Sequence, residues 1–331
     1  MIIGFGQTAE KAHAPAWKNR KDVRILAVAD PLPERRRTAR FYFPQARIYS
    51  DPQEMLQSWP DCDFADICTP PDSHTRWTLK ALDRSLHVLC EKPLTLDPSE
   101  LCAIQKKASR KNRTVFAVHN WKYAPILAKT ASLISKKRIG SLRRADWTVL
   151  RQTPAVGTGR SPKKSWREKP KIAGGGILVD HGWHAFYLVL SLIRQKPRSI
   201  SAMLEFARPG IDHAAQCRME FPSATARIRL TWRAGTRANW MFLNGTLGNL
   251  ALLDDQIHLQ TTGRKEKIYA FPAPLSAGSA HPEWFGAMLP DFFEEIRNPR
   301  KRWKNLEEAA LCLKLIRSAY RSSQAKRPIP I

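Results

Sequence analysis

Acidic residues are scarce in this chain: 29 Asp and Glu stand against 55 Lys and Arg, a formal net charge of +26. Such an imbalance bears on partners, either an anionic ligand or a basic solvated surface, and says nothing about fold. Long apolar runs are missing as well. No stretch of eighteen consecutive apolar residues occurs, and Met1-Ile2-Ile3 enters a turn at Gly4 with no room for a signal peptide, so a cytoplasmic setting without membrane attachment is expected. The six cysteines (Cys62, Cys68, Cys90, Cys102, Cys217, Cys312) have no C-x-x-C spacing and sit in apolar segments, which suits reduced core thiols with neither metal nor disulfide. Aromatic residues are not interleaved with the basic ones as in a nucleic-acid-binding motif. Basic residues do concentrate between Tyr123 and Ile172, where Lys129, Lys136, Lys137, Arg138, Arg143, Arg144, Arg151, Arg160, Lys163, Lys164, Arg167, Lys169 and Lys171 face only Asp146 and Glu168.

What is present begins with a turn. Ile2-Ile3 leads into Gly4, Gly6 and Ala9 in G-x-G-x-x-G/A spacing: the first glycine bends the chain, the second lets backbone N–H groups approach a pyrophosphate, and the small third residue permits close helix packing. Val23 to Ala29 reads as a buried strand and ends in Asp30, about twenty residues on, where an acid would meet a ribose diol. A carboxylate there favours NAD, while Arg35, Arg36 and Arg37 leave NADP open. Only three residues precede Gly4, which implies a late start or a short edge strand. Phe64 to Cys68 forms the next buried-strand pattern, followed by Thr69-Pro70-Pro71 and an amphipathic helix over Ser73 to Arg84. Val88 to Cys90 then stops at Glu91-Lys92-Pro93. In a doubly wound sheet both of these turns face the ligand crevice.

In the second half, Ala145 to Arg151, Ser199 to Phe206, Gln216 to Phe221, Ala224 to Trp232, Trp240 to Asn244 and Gly248 to Asp254 read as strands, and Val179 to Ile193 as one long helix. The length of 331 residues accommodates two domains.

The glycine turn, TPPDSH (Thr69 to His74), EKP (Glu91 to Pro93), NWKYAP (Asn120 to Pro125) and AGGGILVDHGWH (Ala173 to His184) together closely resemble the Gfo/Idh/MocA family of nicotinamide-dependent oxidoreductases, as do DFFEEIRN (Asp291 to Asn298) and the helix after it. The resemblance implies an α/β Rossmann domain with a doubly wound parallel sheet over residues 1–121. An α+β substrate and oligomerisation domain with an open, mostly antiparallel sheet follows over 122–331, its closing helices able to return to the first domain.

The resemblance assigns Gly4, Gly6, Gln7, Thr8, Ala9, Asp30, Thr69, Pro70, His74, Glu91, Lys92 and Asn120 to the NAD site. Lys92, Asp180 and His184 become the catalytic trio: Lys92 on the reacting oxygen, His184 as general acid/base, and Asp180, one helical turn before it, orienting substrate or supporting charge. His13 and His74 are expected to be structural or cofactor-lining, and Trp166 and Trp183 to line a sugar site or the core. Three positions depart from the family pattern: Tyr187 replaces an acid three residues after the histidine, His181 adds an imidazole beside Asp180, and Lys122 stands where arginine is frequent.

The implied substrate is a sugar, cyclitol or derivative, including phosphorylated or nucleotide-linked ones given the basic block, and the implied assembly is a homodimer or homotetramer. The alternatives are an NAD-dependent glycosidase or a biliverdin-reductase-like enzyme on the same fold, or a non-catalytic cofactor-sensing or nucleic-acid-binding protein.

Overall fold

The structure, a computed structural model, describes residues 1–59, 61–155 and 166–331. The chain divides into two compact units. The first comprises Met1–Asn120 with Ala280–Leu311, and the second Trp121–Ala155 with Arg167–Ser279 and Cys312–Ile331. The segment Ala280–Leu311 thus groups with the first unit although it follows most of the second in sequence.

In the first unit six parallel strands, β1 (Ile2–Ile3), β2 (Ala27–Ala29), β3 (Arg47–Tyr49), β4 (Phe64–Ile67), β5 (His87–Cys90) and β6 (Val115–Ala117), lie in the order β3-β2-β1-β4-β5-β6. This is the doubly wound order, with its switch point between β1 and β4. β1 is thus the shortest kind of strand in the central position, and the expectation that it forms a short edge is corrected. Its two residues limit its neighbour: β2 begins only at Ala27, although the apolar run starts at Val23. The helix Pro282–Arg297 covers this unit, setting Phe292 edge-on against Phe64 and Phe116 at 5.5 and 5.7 Å between centroids.

The second unit is built on a mixed nine-stranded sheet. Its strands are β7 (Leu142–Leu150), β8 (Ser199–Arg208), β9 (Ile211–Glu220), β10 (Thr225–Thr231), β11 (Ala238–Gly245), β12 (Gly248–Leu253), β13 (Gln256–Thr261), β14 (Lys267–Ala270) and β15 (Ile329–Pro330). They are ordered β14-β13-β12-β11-β7-β10-β9-β8-β15, all antiparallel except the β7–β10 pair. Alternation along β7, β10 and β11 puts Trp147, Ile228, Leu230, Met241 and Leu243 on one buried face. The stretch expected as one helix over Val179–Ile193 starts with a π-type turn at Leu178–Gly182 and continues as an α-helix over Trp183–Ile193. It is apolar on every side because it is enclosed. Pro170–Ile193 has the length and apolarity to cross a membrane, yet 83% of its apolar window is buried within the protein, as a core element is.

Candidate active-site residues in two units

In the first unit the glycine turn closes β1. Gly4 has φ +85° and its N–H donates to the Ala29 carbonyl at 2.8 Å; a Cβ there would meet Thr69 Cγ2 at 2.9 Å, so no other residue fits. Gly6 has open space where a Cβ would stand, so a ligand can approach its backbone closely. Buried Asp30 holds this turn directly. Its Oδ2 accepts the Phe5 N–H at 2.7 Å and its Oδ1 the Leu32 N–H at 2.9 Å. Arg35 pairs with Glu10 at 2.8 Å, and Arg36 donates to the Asp30 and Pro31 carbonyls. Two of the three arginines that left NADP open are thereby engaged within the fold.

At the ends of β4 and β5, the turns that follow are stitched together by histidines. Both ring nitrogens of His74 lie 2.7 Å from carbonyl oxygens, those of Thr69 and Pro93. Burial lowers its pKa against the pull of these carbonyls, and a neutral ring donates to one of them at a time. Ser73 Oγ donates to Thr69 Oγ1 at 2.7 Å. Glu91 turns its carboxylate inward: Oε1 lies 3.0 Å from His13 Nε2, and Oε2 accepts the Lys92 backbone N–H at 3.0 Å. His13 also lies 2.9 Å from Asp66 Oδ2, which accepts the Trp17 indole N–H at 2.7 Å, and its ring stacks on Phe285 at 3.8 Å.

Burial opposes charge on His13, but Asp66 and its neighbours prevail and hold its pKa well above the usual histidine value. His13 Nδ1, Asp66 and Cys68 lie within 4.8 Å of one another, a metal-like grouping. Burial and Asp66 push the Cys68 thiol well up, and its Sγ lies 3.2 Å from His13 Nδ1, so these groups form a hydrogen-bonded cluster. Its effect is to fix Glu91 and, through it, the backbone of Lys92.

In the second unit the triple glycine prepares the helix that follows. Gly174, at φ +74°, ends the short helix Pro170–Ala173. A Cβ on Gly176 would fall 1.8 Å from the Asp212 carbonyl oxygen. Asp212, from β9, accepts the Gly176 and Leu178 N–H groups at 2.7 and 2.8 Å and the Tyr320 hydroxyl at 2.5 Å. It caps the helical stretch that carries Asp180 and His184. Asp180 Oδ2 lies 3.5 Å from Arg167 Nε and 3.4 Å from His181 Nδ1. His184 is buried, stacks on Trp121 at 4.7 Å, and places Nδ1 2.6 Å from the Tyr187 hydroxyl. That hydroxyl also accepts the Trp121 backbone N–H at 3.2 Å, and Lys122 Nζ sits 5.6 Å from the Tyr187 ring centroid.

Lys92 therefore belongs to the first unit, and Asp180 and His184 to the second; Asn120 closes the first unit's main segment. Trp183 is core, and Trp166 is half-buried on a short turn. Sequence reasoning noticed Tyr187 only as a departure from a pattern, whereas the fold makes it the partner of His184. Asp212 carried no motif at all. The basic block has two fates: Lys136, Lys137, Arg138, Arg143 and Arg144 are exposed, while Arg151 is buried and Arg167 pairs with Asp180. Arg160, Lys163 and Lys164 lie outside the described residues.

A glycine turn at the switch point of an all-parallel sheet, joined to a large open-sheet unit, defines a dinucleotide-binding Rossmann protein with an appended second domain. Residues 1–119 match the oxidoreductase family with NAD-binding Rossmann fold, and residues 127–251 match the GFO/IDH/MocA C-terminal domain; the chain belongs to the Gfo/Idh/MocA family.

Among curated relatives, D-glucoside 3-dehydrogenase of Escherichia coli is 27% identical over 183 residues, 55% of this chain and 50% of the relative. Inositol 2-dehydrogenase of Rhizobium meliloti is 26% identical over 202 residues, 61% of this chain and 56% of the relative. The matched stretch thus spans about half the length of these relatives. An oxidoreductase from Agrobacterium radiobacter, solved in complex with NAD+, L-tartaric acid and magnesium, superposes with a TM-score of 0.85 at 17% identity, covering 99% of this chain and 97% of that one. That likeness is one of fold.

Proposed function

We propose that this protein is an NAD-dependent dehydrogenase or reductase acting on a secondary alcohol or ketone of a sugar, cyclitol or sugar derivative. The observation that carries the reading is His184: a buried imidazole pinned on one nitrogen by Tyr187 and on its face by Trp121, one turn after Asp180, in a chain whose other half is the family's NAD-binding fold. The relatives named above, whose names describe a glucoside and an inositol dehydrogenase, support the substrate class.

The first unit fits the cofactor by its own geometry, since Gly6 leaves space at the backbone and Asp30 braces the turn. Bound NAD supplies hydride acceptance. The chain's residues do the rest: Gly4 to Ala9 would hold the pyrophosphate, Asp30 would accept from the ribose diol with the lone pairs its two backbone bonds leave, and Thr69, Pro70, His74, Glu91 and Asn120 would shape the remainder of the site. Lys92 hydrogen-bonds the reacting oxygen, favouring its anionic form, and His184 takes the hydroxyl proton or returns it. The Tyr187 hydroxyl at Nδ1 and the Trp121 ring fix the orientation in which the imidazole does so. Asp180 orients substrate. The open outer sheet face carries exposed Met203, Phe242 and Leu253, which supports assembly through that face as a homodimer or homotetramer.

The test is to incubate purified protein and NAD with a panel of sugars and cyclitols and to follow NADH absorbance. Net NADH formation with at least one of them is expected. Substrate cleavage without net NADH would replace this reading with a glycosidase, and salt-sensitive polynucleotide binding without turnover would replace it with a binding protein.

A further inference from the structure

The buried face of the nine-stranded sheet ends in a patch of N–H groups that bond no atom among the described residues. Arg151 follows β7 and continues its buried register after Trp147 and Val149, and it is only 2% exposed. Its Nη1 donates to the Leu150 and Ala238 carbonyls at 2.7 and 3.3 Å and to Asn239 Oδ1 at 3.2 Å. Its Nε and Nη2 are buried without a partner among the described residues. Asn239, 1% exposed, stands opposite Val149 on β11, and its Nδ2 is likewise buried and unpartnered. Trp232 follows β10, whose register with β7 (Ile228 beside Trp147, Leu230 beside Val149) carries it to the level of Arg151; its indole N–H is also buried and unpartnered. Every one of these orphan atoms is a donor. Gathered at one end of the sheet, these donors together can receive an oxygen-rich group.

Charge narrows the ligand. Burial and the nearby Arg237 pull the Arg151 pKa down to about 10, against the opposing influence of Asp180 and Asp254. Asp254 spends its carboxylate on the Ser276 N–H and hydroxyl, and Asp180 shares its own with Arg167. The Arg151 guanidinium carries one positive charge, which a monoanion neutralises and a phosphate dianion oversteps. The Nε–Nη2 edge of a guanidinium matches the two oxygens of a planar carboxylate in a paired, fork-like contact. The patch adjoins the stretch that carries Asp180, because the Trp232 backbone N–H donates at 2.8 Å to the carbonyl of His213, the neighbour of Asp212, whose carboxylate holds the Gly176 and Leu178 N–H groups.

We propose that Arg151, with Asn239 and Trp232, binds the carboxylate of an acidic sugar, so that the substrate is a uronic or aldonic acid and not its neutral counterpart. The inference rests on the dehydrogenase reading above and specifies its substrate. Arg151 takes the carboxylate side-on through Nε and Nη2, and Asn239 Nδ2 and the Trp232 indole donate to its outer lone pairs. The acid group is held at the sheet end, which sets which hydroxyl of the sugar is presented.

The test is calorimetric titration of the NAD-loaded protein with D-glucuronate, D-galacturonate and D-gluconate, against D-glucose, D-galactose, myo-inositol and glucose 6-phosphate, alongside NADH formation. At least one acid is expected to bind ten or more times more tightly than every neutral sugar, and Arg151→Gln should erase that margin. Because Arg151 is buried, a second variant guards against misfolding. Asn239→Asp supplies a carboxylate of its own to Arg151, so it should abolish the preference for acids while the melting temperature holds or rises.

Acids and neutral sugars binding alike, tightest binding of glucose 6-phosphate, or an acid preference that survives Asn239→Asp in folded protein would each overturn the proposal. NADH formation from neutral sugars alone would sink the carboxylate site and keep the dehydrogenase. Acid-selective binding without NADH from any sugar would do the reverse.

Discussion

Replacing Tyr187 with Phe removes one oxygen and almost nothing else, because Tyr187 is fully buried and Phe fills the same shape. That oxygen meets the His184 ring nitrogen at 2.6 Å and the Trp121 backbone N–H at 3.2 Å. His184 is 8% exposed and Trp121 is 9% exposed, so water does not readily take over. Each orphaned buried polar group costs about 1–3 kcal/mol, and the pair should lower unfolding stability by roughly 2–6 kcal/mol. The variant also frees the ring to rotate or to exchange tautomers, which a merely structural loss would not do. Turnover should fall about tenfold to a hundredfold, and the pH dependence of kcat should shift because Nδ1 no longer has a fixed partner. Urea unfolding followed by tryptophan fluorescence measures the first effect, and NADH formation across pH the second. A variant within about 0.5 kcal/mol of the parent with an unmoved pH profile would refute the claim that this hydroxyl holds His184.

Further outcomes follow from other residues. Lys92→Ala and His184→Ala should each cost roughly 10² to 10⁴ in single-turnover hydride transfer with NAD affinity kept, and the double variant should lose little more than the worse single one; full activity in either would sink the assigned mechanism. Asp30→Ala frees the Phe5 and Leu32 N–H groups as well as any ribose contact, so NAD affinity should weaken about tenfold, or ~1.4 kcal/mol, and the preference over NADP should narrow, both readable by fluorescence titration. Gly176→Ala should fail to fold or lose several degrees of melting temperature, because its Cβ would overlap the Asp212 carbonyl.

His87 sets an acid limit. Burial, reinforced by Arg113 and Arg302, depresses its pKa from 6.5 to about 4 in the folded protein. Between those values the unfolded chain binds more protons, so stability falls as pH drops from 6.5 towards 4 and the contribution levels off below. In His87→Gln this part of the slope should vanish from chemical denaturation curves, and an unchanged slope would contradict the assignment.

Much of the first unit was legible in the residues because its elements announce themselves locally. Gly4 and Gly6 mark a turn whose backbone only glycine tolerates, and Asp30 ends an apolar run at the right distance. Lys92, Asp180 and His184 were reached through the family resemblance, since each lies in one of the short motifs that carry it. The strands β13 and β14 were not legible, since in Gln256–Thr261 only Ile257 and Leu259 turn inward, and in Lys267–Ala270 no residue is buried. Tertiary structure alone decided the rest. Asp212 reaches its helix across more than thirty residues of chain, His13 meets Glu91 across 78 residues, and Tyr187 acquires its role only when Trp121 is brought to it. Arg151 looked like one member of a solvated basic block until the register of β7, β10 and β11 set it inward beside Asn239 and Trp232. Local pattern specifies which backbone shapes are affordable, but a side chain's partners depend on which distant strand lies next to it, and that is settled only by packing.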